Sequence, residues 1–180
     1  MAETYVGLIR GINVGRAKRV AMADLRALVE ELGYGDVKTF LNSGNVVFTS
    51  ARPRPQTQVA AQIEKGLSSA CGVSARVIVL SGAELDSVVQ ENPLTKRATD
   101  PSRLLVAVLA DPADKRLLGP LTTQDWAPES LAVGDRAAYA WCPKGILESR
   151  LPDALGRALG DAVTTRNWST IQKIHAHTGA

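Results

Sequence analysis

Tyr5–Leu25 reads YVGLIRGINVGRAKRVAMADL and divides into a strand, a loop and the start of a helix. Thr4–Ile9 is short, apolar and ended by Arg10-Gly11, the pattern of a strand buried on both faces. Met22, Leu25, Leu28, Val29 and Leu32 recur at helical spacing, and Gly33 supplies a stop. Between strand and helix, the glycines of Gly11-Ile12-Asn13-Val14-Gly15 leave backbone amides free to turn outward. Arg10, Arg16, Lys18 and Arg19 place four cations in the stretch before its first acid, Asp24.

Working outward, Val37–Leu41 and Val46–Thr49 read as strands joined by a turn at Asn42-Ser43-Gly44-Asn45. Val59, Ile63 and Leu67 mark a second helix closing at Cys71-Gly72, and Ala75–Leu80 a fourth strand. This order, β-α-β-β-α-β, is the split βαβ or ferredoxin-like unit. A further helix carrying Leu85, Val88 and Val89 stops at Asn92-Pro93. After a polar link the order restarts. Arg103–Leu109 is a strand, Ala113–Leu118 a short helix, and Ser130–Val133 and Ala137–Cys142 a hairpin about Gly134-Asp135. Leu151, Leu155 and Leu159 mark a helix, Val163–Arg166 a last strand, and Trp168, Ile171 and Ile174 a terminal helix. The expected fold is therefore α+β, with two ferredoxin-like halves, 1–92 and 103–180, joined by linker 93–102 and packed as one unit. The duplication rests on element order, because the halves share no convincing residue identity.

In a split βαβ sheet the first and third strands are antiparallel neighbours, with the second beside the third. Arg10–Gly15 and Asn42–Asn45 are therefore expected at one sheet edge. This makes Arg10, Gly11, Asn13, Gly15, Arg16, Ser43, Gly44 and Asn45 candidate ligand-binding residues. Arg166 joins them on a different ground. A cation at a helix start has the wrong sign for the dipole and needs a carboxylate or an anionic ligand as partner. Asn167 beside it reads as that helix's N-cap.

The motifs in this order resemble the bacterial domain-of-unknown-function family 1697. The carriers are Arg10–Gly15 after the first strand, Met22-Ala23-Asp24-Leu25-Arg26 opening the first helix, Ser43-Gly44-Asn45 followed by Val46-Val47-Phe48, and Thr164-Thr165-Arg166-Asn167 before the last helix. Two positions depart from the pattern: Ala21, where many members have Pro, and Arg16, where Gly is usual. The resemblance implies a duplicated ferredoxin-like architecture and carries no activity with it.

Bulk properties narrow the function. Net charge is +3, which leans weakly toward anionic partners and falls short of a duplex binder's basic stripe. Aromatics are 4%, too few for a surface that stacks several bases. Tyr5 and Phe48 are the large aromatics expected on the first and third strands, without a paired RNA-stacking signature. Cys71 and Cys142 form no CxxC motif and read as core thiols, so a reducing, cytoplasmic setting is expected. Met1–Tyr5 has no basic region leading into a long apolar run, and no apolar stretch reaches membrane-spanning length. His175 and His177 lack further ligands nearby in sequence, so neither metal nor cofactor is expected, and no catalytic set stands out.

Three functions remain open. One is a module binding a phosphorylated small molecule or, weakly, a nucleic-acid backbone. Another is a small phosphate or acyl-phosphate hydrolase in which Arg10 or Arg16 works with Asn42 or Asn45. The last is an interaction or oligomerisation protein using exposed strand edges.

Overall fold

The computed structural model describes residues 2–179. The first half runs β1 (Glu3–Ile9), α1 (Met22–Glu31), β2 (Gly35–Phe40), β3 (Asn45–Ser50), α2 (Gln56–Cys71), β4 (Val77–Ser81) and α3 (Gly82–Gln90). The second runs β5 (Leu104–Leu109), α4 (Gly119–Thr122), β6 (Ser130–Val133), β7 (Ala137–Trp141), α5 (Leu151–Leu159), β8 (Val163–Asn167) and α6 (Trp168–His175). The strands form two four-stranded antiparallel sheets, β2-β3-β1-β4 and β6-β7-β5-β8. Each sheet carries flanking helices, giving two ferredoxin-like halves.

The hydrogen-bond register carries the duplication that residue identity does not. Ile9 N donates to Gly44 O and Leu109 N to Arg136 O, both at 2.9 Å. Arg10 N donates to Arg76 O and Ala110 N to Ala162 O, again at 2.9 Å. Tyr5 pairs with Ser81 as Leu105 pairs with Asn167. Those last partners do the same job. The Ser81 hydroxyl accepts from Glu84 N, and the Asn167 side chain accepts from Thr170 N, each capping the helix that follows.

Packing in the first sheet follows the apolar periods. Leu25, Leu28 and Val29 of α1 and Val59, Ile63 and Leu67 of α2 are buried with Tyr5, Ile9, Phe48 and Val79. Gly66 permits the helix contact, since a Cβ there would lie 2.3 Å from Leu28 Cδ1. In the second sheet Leu109, Leu118, Leu155 and Leu159 form one cluster, and Leu105, Trp126, Cys142 and Leu151 another.

Two local expectations shift. The segment Pro112–Leu118 is a 3-10 helix, capped by Asp111 accepting from Ala113 N, and only Gly119–Thr122 is α-helical. Proline lacks an N–H, so Pro120 cannot donate to a preceding carbonyl. The β6–β7 turn slips by one residue. Gly134 N donates to Ala137 O at 2.8 Å, so Asp135-Arg136 occupy the turn rather than Gly134-Asp135. Arg136 is buried and its Nε donates to Leu109 O at 2.8 Å, fixing that register.

Compactness divides the chain into Met1–Leu85 with Ile174–Ala180, and Asp86–Lys173. These units differ from the expected halves at both ends. In the first, the His177 ring packs on Phe40 with centroids 4.6 Å apart. In the second, the Tyr139 hydroxyl donates to Val88 O at 2.6 Å.

Candidate functional site

The convergence expected from strand order is present in the first unit. β1 and β3 bring the loop of residues 10–20 against the hairpin of residues 41–44. Asn13 is the brace between them. Its Nδ2 donates to Val20 O at 2.8 Å and to Asn42 O at 2.7 Å, while its Oδ1 accepts from Val20 N at 2.8 Å. The backbone at Asn13 is left-handed, φ 58°, a conformation asparagine tolerates better than most residues. Asn13 N also donates to Lys18 O at 3.0 Å, closing the loop.

Gly44 is required by packing. Its φ is 88°, and a Cβ there would lie 2.7 Å from Ile12 Cδ1 and 3.0 Å from Ile9 Cβ. Asn45 is fully buried, and its Nδ2 donates to Phe40 O at 2.7 Å and Ser43 Oγ at 2.8 Å. Expected as a ligand contact, Asn45 instead holds the hairpin from behind, with both amide protons engaged. Of the two asparagines in the hydrolase reading, Asn42 or Asn45, the exposed one is Asn42. Ser43 and Asn42 are exposed.

The loop's outer surface is basic and open. Gly11, Gly15, Arg16, Lys18 and Arg19 are exposed, Arg10 is half-buried, and Val14 is 76% exposed. Left-handed backbone recurs at Gly11, Asn13, Gly15 and Lys18, and alternation of left- and right-handed residues is the pattern that builds anion-binding nests of N–H groups in proteins. The amides of Val14, Gly15 and Arg16 have no hydrogen-bond acceptor among the described residues. Arg19 Nη1 donates to Asn13 O and Gly15 O, both at 3.2 Å. Arg16 and Lys18 form no ion pair among the described residues.

The site thus has an outer layer, Arg16, Lys18 and the amides of Val14–Arg16, over an inner brace of Asn13, Arg19, Gly44 and Asn45. The sequence places Lys18 and Arg19 in the cation run without naming them among the candidate ligand-binding residues. The cation run was visible, but which member folds back onto the loop was not.

Arg166 belongs to the second unit. It is 7% exposed, and its Nη1 donates to Thr164 Oγ1 at 2.9 Å and Thr165 O at 2.8 Å. Burial pulls its pKa down to about 10, so it stays charged at neutral pH. By register its counterpart in the first unit is Leu80, which pairs with Val6 as Arg166 pairs with Val106.

Tyr5 and Phe48 supply no stacking platform. Both are fully buried, with ring centroids 5.7 Å apart. Cys142 is buried and Cys71 half-buried, both free, and burial raises the pKa of each thiol. Among the described residues no group of three or more His, Cys, Asp or Glu is arranged to hold a metal, and no helix is long and apolar enough to cross a membrane.

Comparison with known proteins bears on the fold and the family. A conserved bacterial protein, SP0830 from Streptococcus pneumoniae, has a similar structure, with TM-score 0.79 and 23% identity over 98% of each chain. That likeness concerns the fold. No curated protein sequence matches significantly. Residues 2–139, which include the Arg10–Gly15 loop and the Ser43-Gly44-Asn45 hairpin, match the family described as "Protein of unknown function (DUF1697)". The chain belongs to that family.

Proposed function

We propose that the loop after β1 binds the phosphate group of an anionic ligand in the cytoplasm. The observation that supports this reading most is the set of amides at Val14, Gly15 and Arg16 without an acceptor, beside Arg16 and Lys18 without an ion pair, among the described residues. Backbone N–H groups on a braced loop bind an anion without first having to be ordered. Arg16 adds a planar fork suited to phosphate, and Lys18 adds a mobile point charge. Arg10, Gly11 and Ser43 complete the surface, while Asn13, Gly15, Gly44 and Asn45 shape it.

A phosphorylated small molecule is favoured over nucleic acid, because the buried Tyr5 and Phe48 offer no base stacking. Nucleic acid would meet the loop through phosphates alone, and its binding would fall steeply with salt. The test is calorimetric titration with pyrophosphate and, separately, with a single-stranded oligonucleotide. Removing both charges by Arg16→Ala and Lys18→Ala should weaken pyrophosphate at least about tenfold, at about 1.5–3 kcal/mol per charge-assisted contact. Unchanged affinity in the double variant overturns the reading.

A further inference from the structure

The second unit holds a pocket of about 600 Å3, within the range of small-molecule sites. One wall comes from Leu117 and Leu121 and another from α5. Leu151, Leu155 and Leu159 bury one side of α5. Arg150, Ala154, Arg157 and Ala158, with Ala154 three or four residues from each of the others, line the pocket from another side. Small side chains at 154 and 158 leave the hollow open where larger ones would fill it.

Trp126 lines the same hollow. Its Nε1 donates to Leu121 O at 2.7 Å, which fixes the indole and engages its one donor. Arg150 lies with its guanidinium carbon 5.2 Å from the Trp126 ring centroid. Arg150 and Arg157 flank Asp153 at i,i+3 and i,i+4 spacing, yet neither pairs with it, and none of the three has an ion pair among the described residues. The pocket therefore combines apolar side chains with one carboxylate and two guanidinium groups that have no ion pair among the described residues, Arg150 lying over the Trp126 ring, a surplus of one positive charge.

We propose that this pocket binds a small organic carboxylate with an apolar, aromatic body. The body lies against Leu117 and Leu121 beside Trp126, and the carboxylate meets Arg157 and Arg150, the latter at the Trp126 ring. A guanidinium fork matches a carboxylate through two parallel hydrogen bonds. The single surplus charge suits a monoanion, and Asp153 opposes the second charge of a phosphate dianion. This proposal is independent of the phosphate loop, since it uses different residues and a different ligand chemistry.

The test uses the full chain with 3-phenylpropanoate as probe and 3-phenylpropanamide as its neutral twin. Binding is followed by calorimetry and by the indole N–H signal of Trp126, assigned with Trp126→Phe. The acid should bind saturably at millimolar concentration and shift that signal, and the amide should bind at least about tenfold more weakly. Arg157→Gln should weaken the acid by a similar factor. Ala158→Leu fills the hollow without removing a charge and should abolish binding, so the conclusion does not hang on one variant. Equal binding of acid and amide, acid binding that leaves the Trp126 signal and both variants unaffected, or no saturable binding of the acid would overturn the proposal.

Discussion

Replacing Asn13 with alanine removes the brace between the loop after β1 and the hairpin. Three hydrogen bonds of 2.7–2.8 Å disappear. At about 0.5–1.5 kcal/mol each their sum is about 1.5–4.5 kcal/mol, and the exposed bond to Asn42 belongs at the low end. Val20 is buried, so its N–H and C=O lose partners where water reaches them poorly. Alanine must also hold the left-handed φ of 58°, which asparagine, whose polar side chain bonds locally, tolerates better. A total loss of about 2–4 kcal/mol is expected, a large fraction of the 5–15 kcal/mol typical of a folded domain. Urea unfolding followed by circular dichroism measures it, with an unchanged slope showing that only stability moved. Asn13→Gly deletes the same bonds without the backbone strain and should be about 1 kcal/mol milder. If alanine costs under about 0.5 kcal/mol, or glycine equals wild type, the side chain is no brace.

Three other substitutions test the surrounding frame. Gly44→Ala drives a Cβ into Ile12 and Ile9 at a left-handed position, and should cost about 2–5 kcal/mol in the same urea experiment. Tyr139→Phe leaves Val88 O without its hydroxyl donor in a buried setting and should cost about 1–3 kcal/mol, read as a lower thermal midpoint. The Asp100 carboxyl is held below its usual pKa by the Ser102 hydroxyl and then by the Ser102 amide. A depressed folded pKa means the contribution is present above the unfolded value near 3.9 and is lost as pH falls through the folded one. Between about pH 6 and 2 the wild type should therefore lose more stability than Asp100→Asn, and parallel pH profiles would count against that capping role.

Much of the frame was legible because it rests on short-range rules. Apolar runs, helical spacings and glycine stops located the eight strands and the main helices. Antiparallel topology alone brought residues 10–15 to the hairpin. Side-chain direction was less legible. Asn13, Ser43 and Asn45 all read as polar loop residues, but Asn45 turns inward because the hairpin needs a donor for Phe40 O. Arg16 and Arg19 look alike in sequence, yet only Arg19 folds back onto loop carbonyls. The β6–β7 turn slipped because the buried Arg136 is anchored by Leu109 O, a contact between distant positions. The Trp126 pocket left no local motif, since Leu117, Trp126, Arg150 and Arg157 are drawn together only by folding.

The central claim is that the loop after β1 presents its amides and cations to a phosphate. A titration of the amide signals of uniformly 15N-labelled protein with pyrophosphate at low ionic strength tests it most directly. The account predicts saturable shifts concentrated at Val14, Gly15 and Arg16, with smaller ones at Gly11 and Ser43, all reversed by added salt. Shifts that do not saturate, or that saturate at residues away from this loop while Val14–Arg16 stay still, would contradict it.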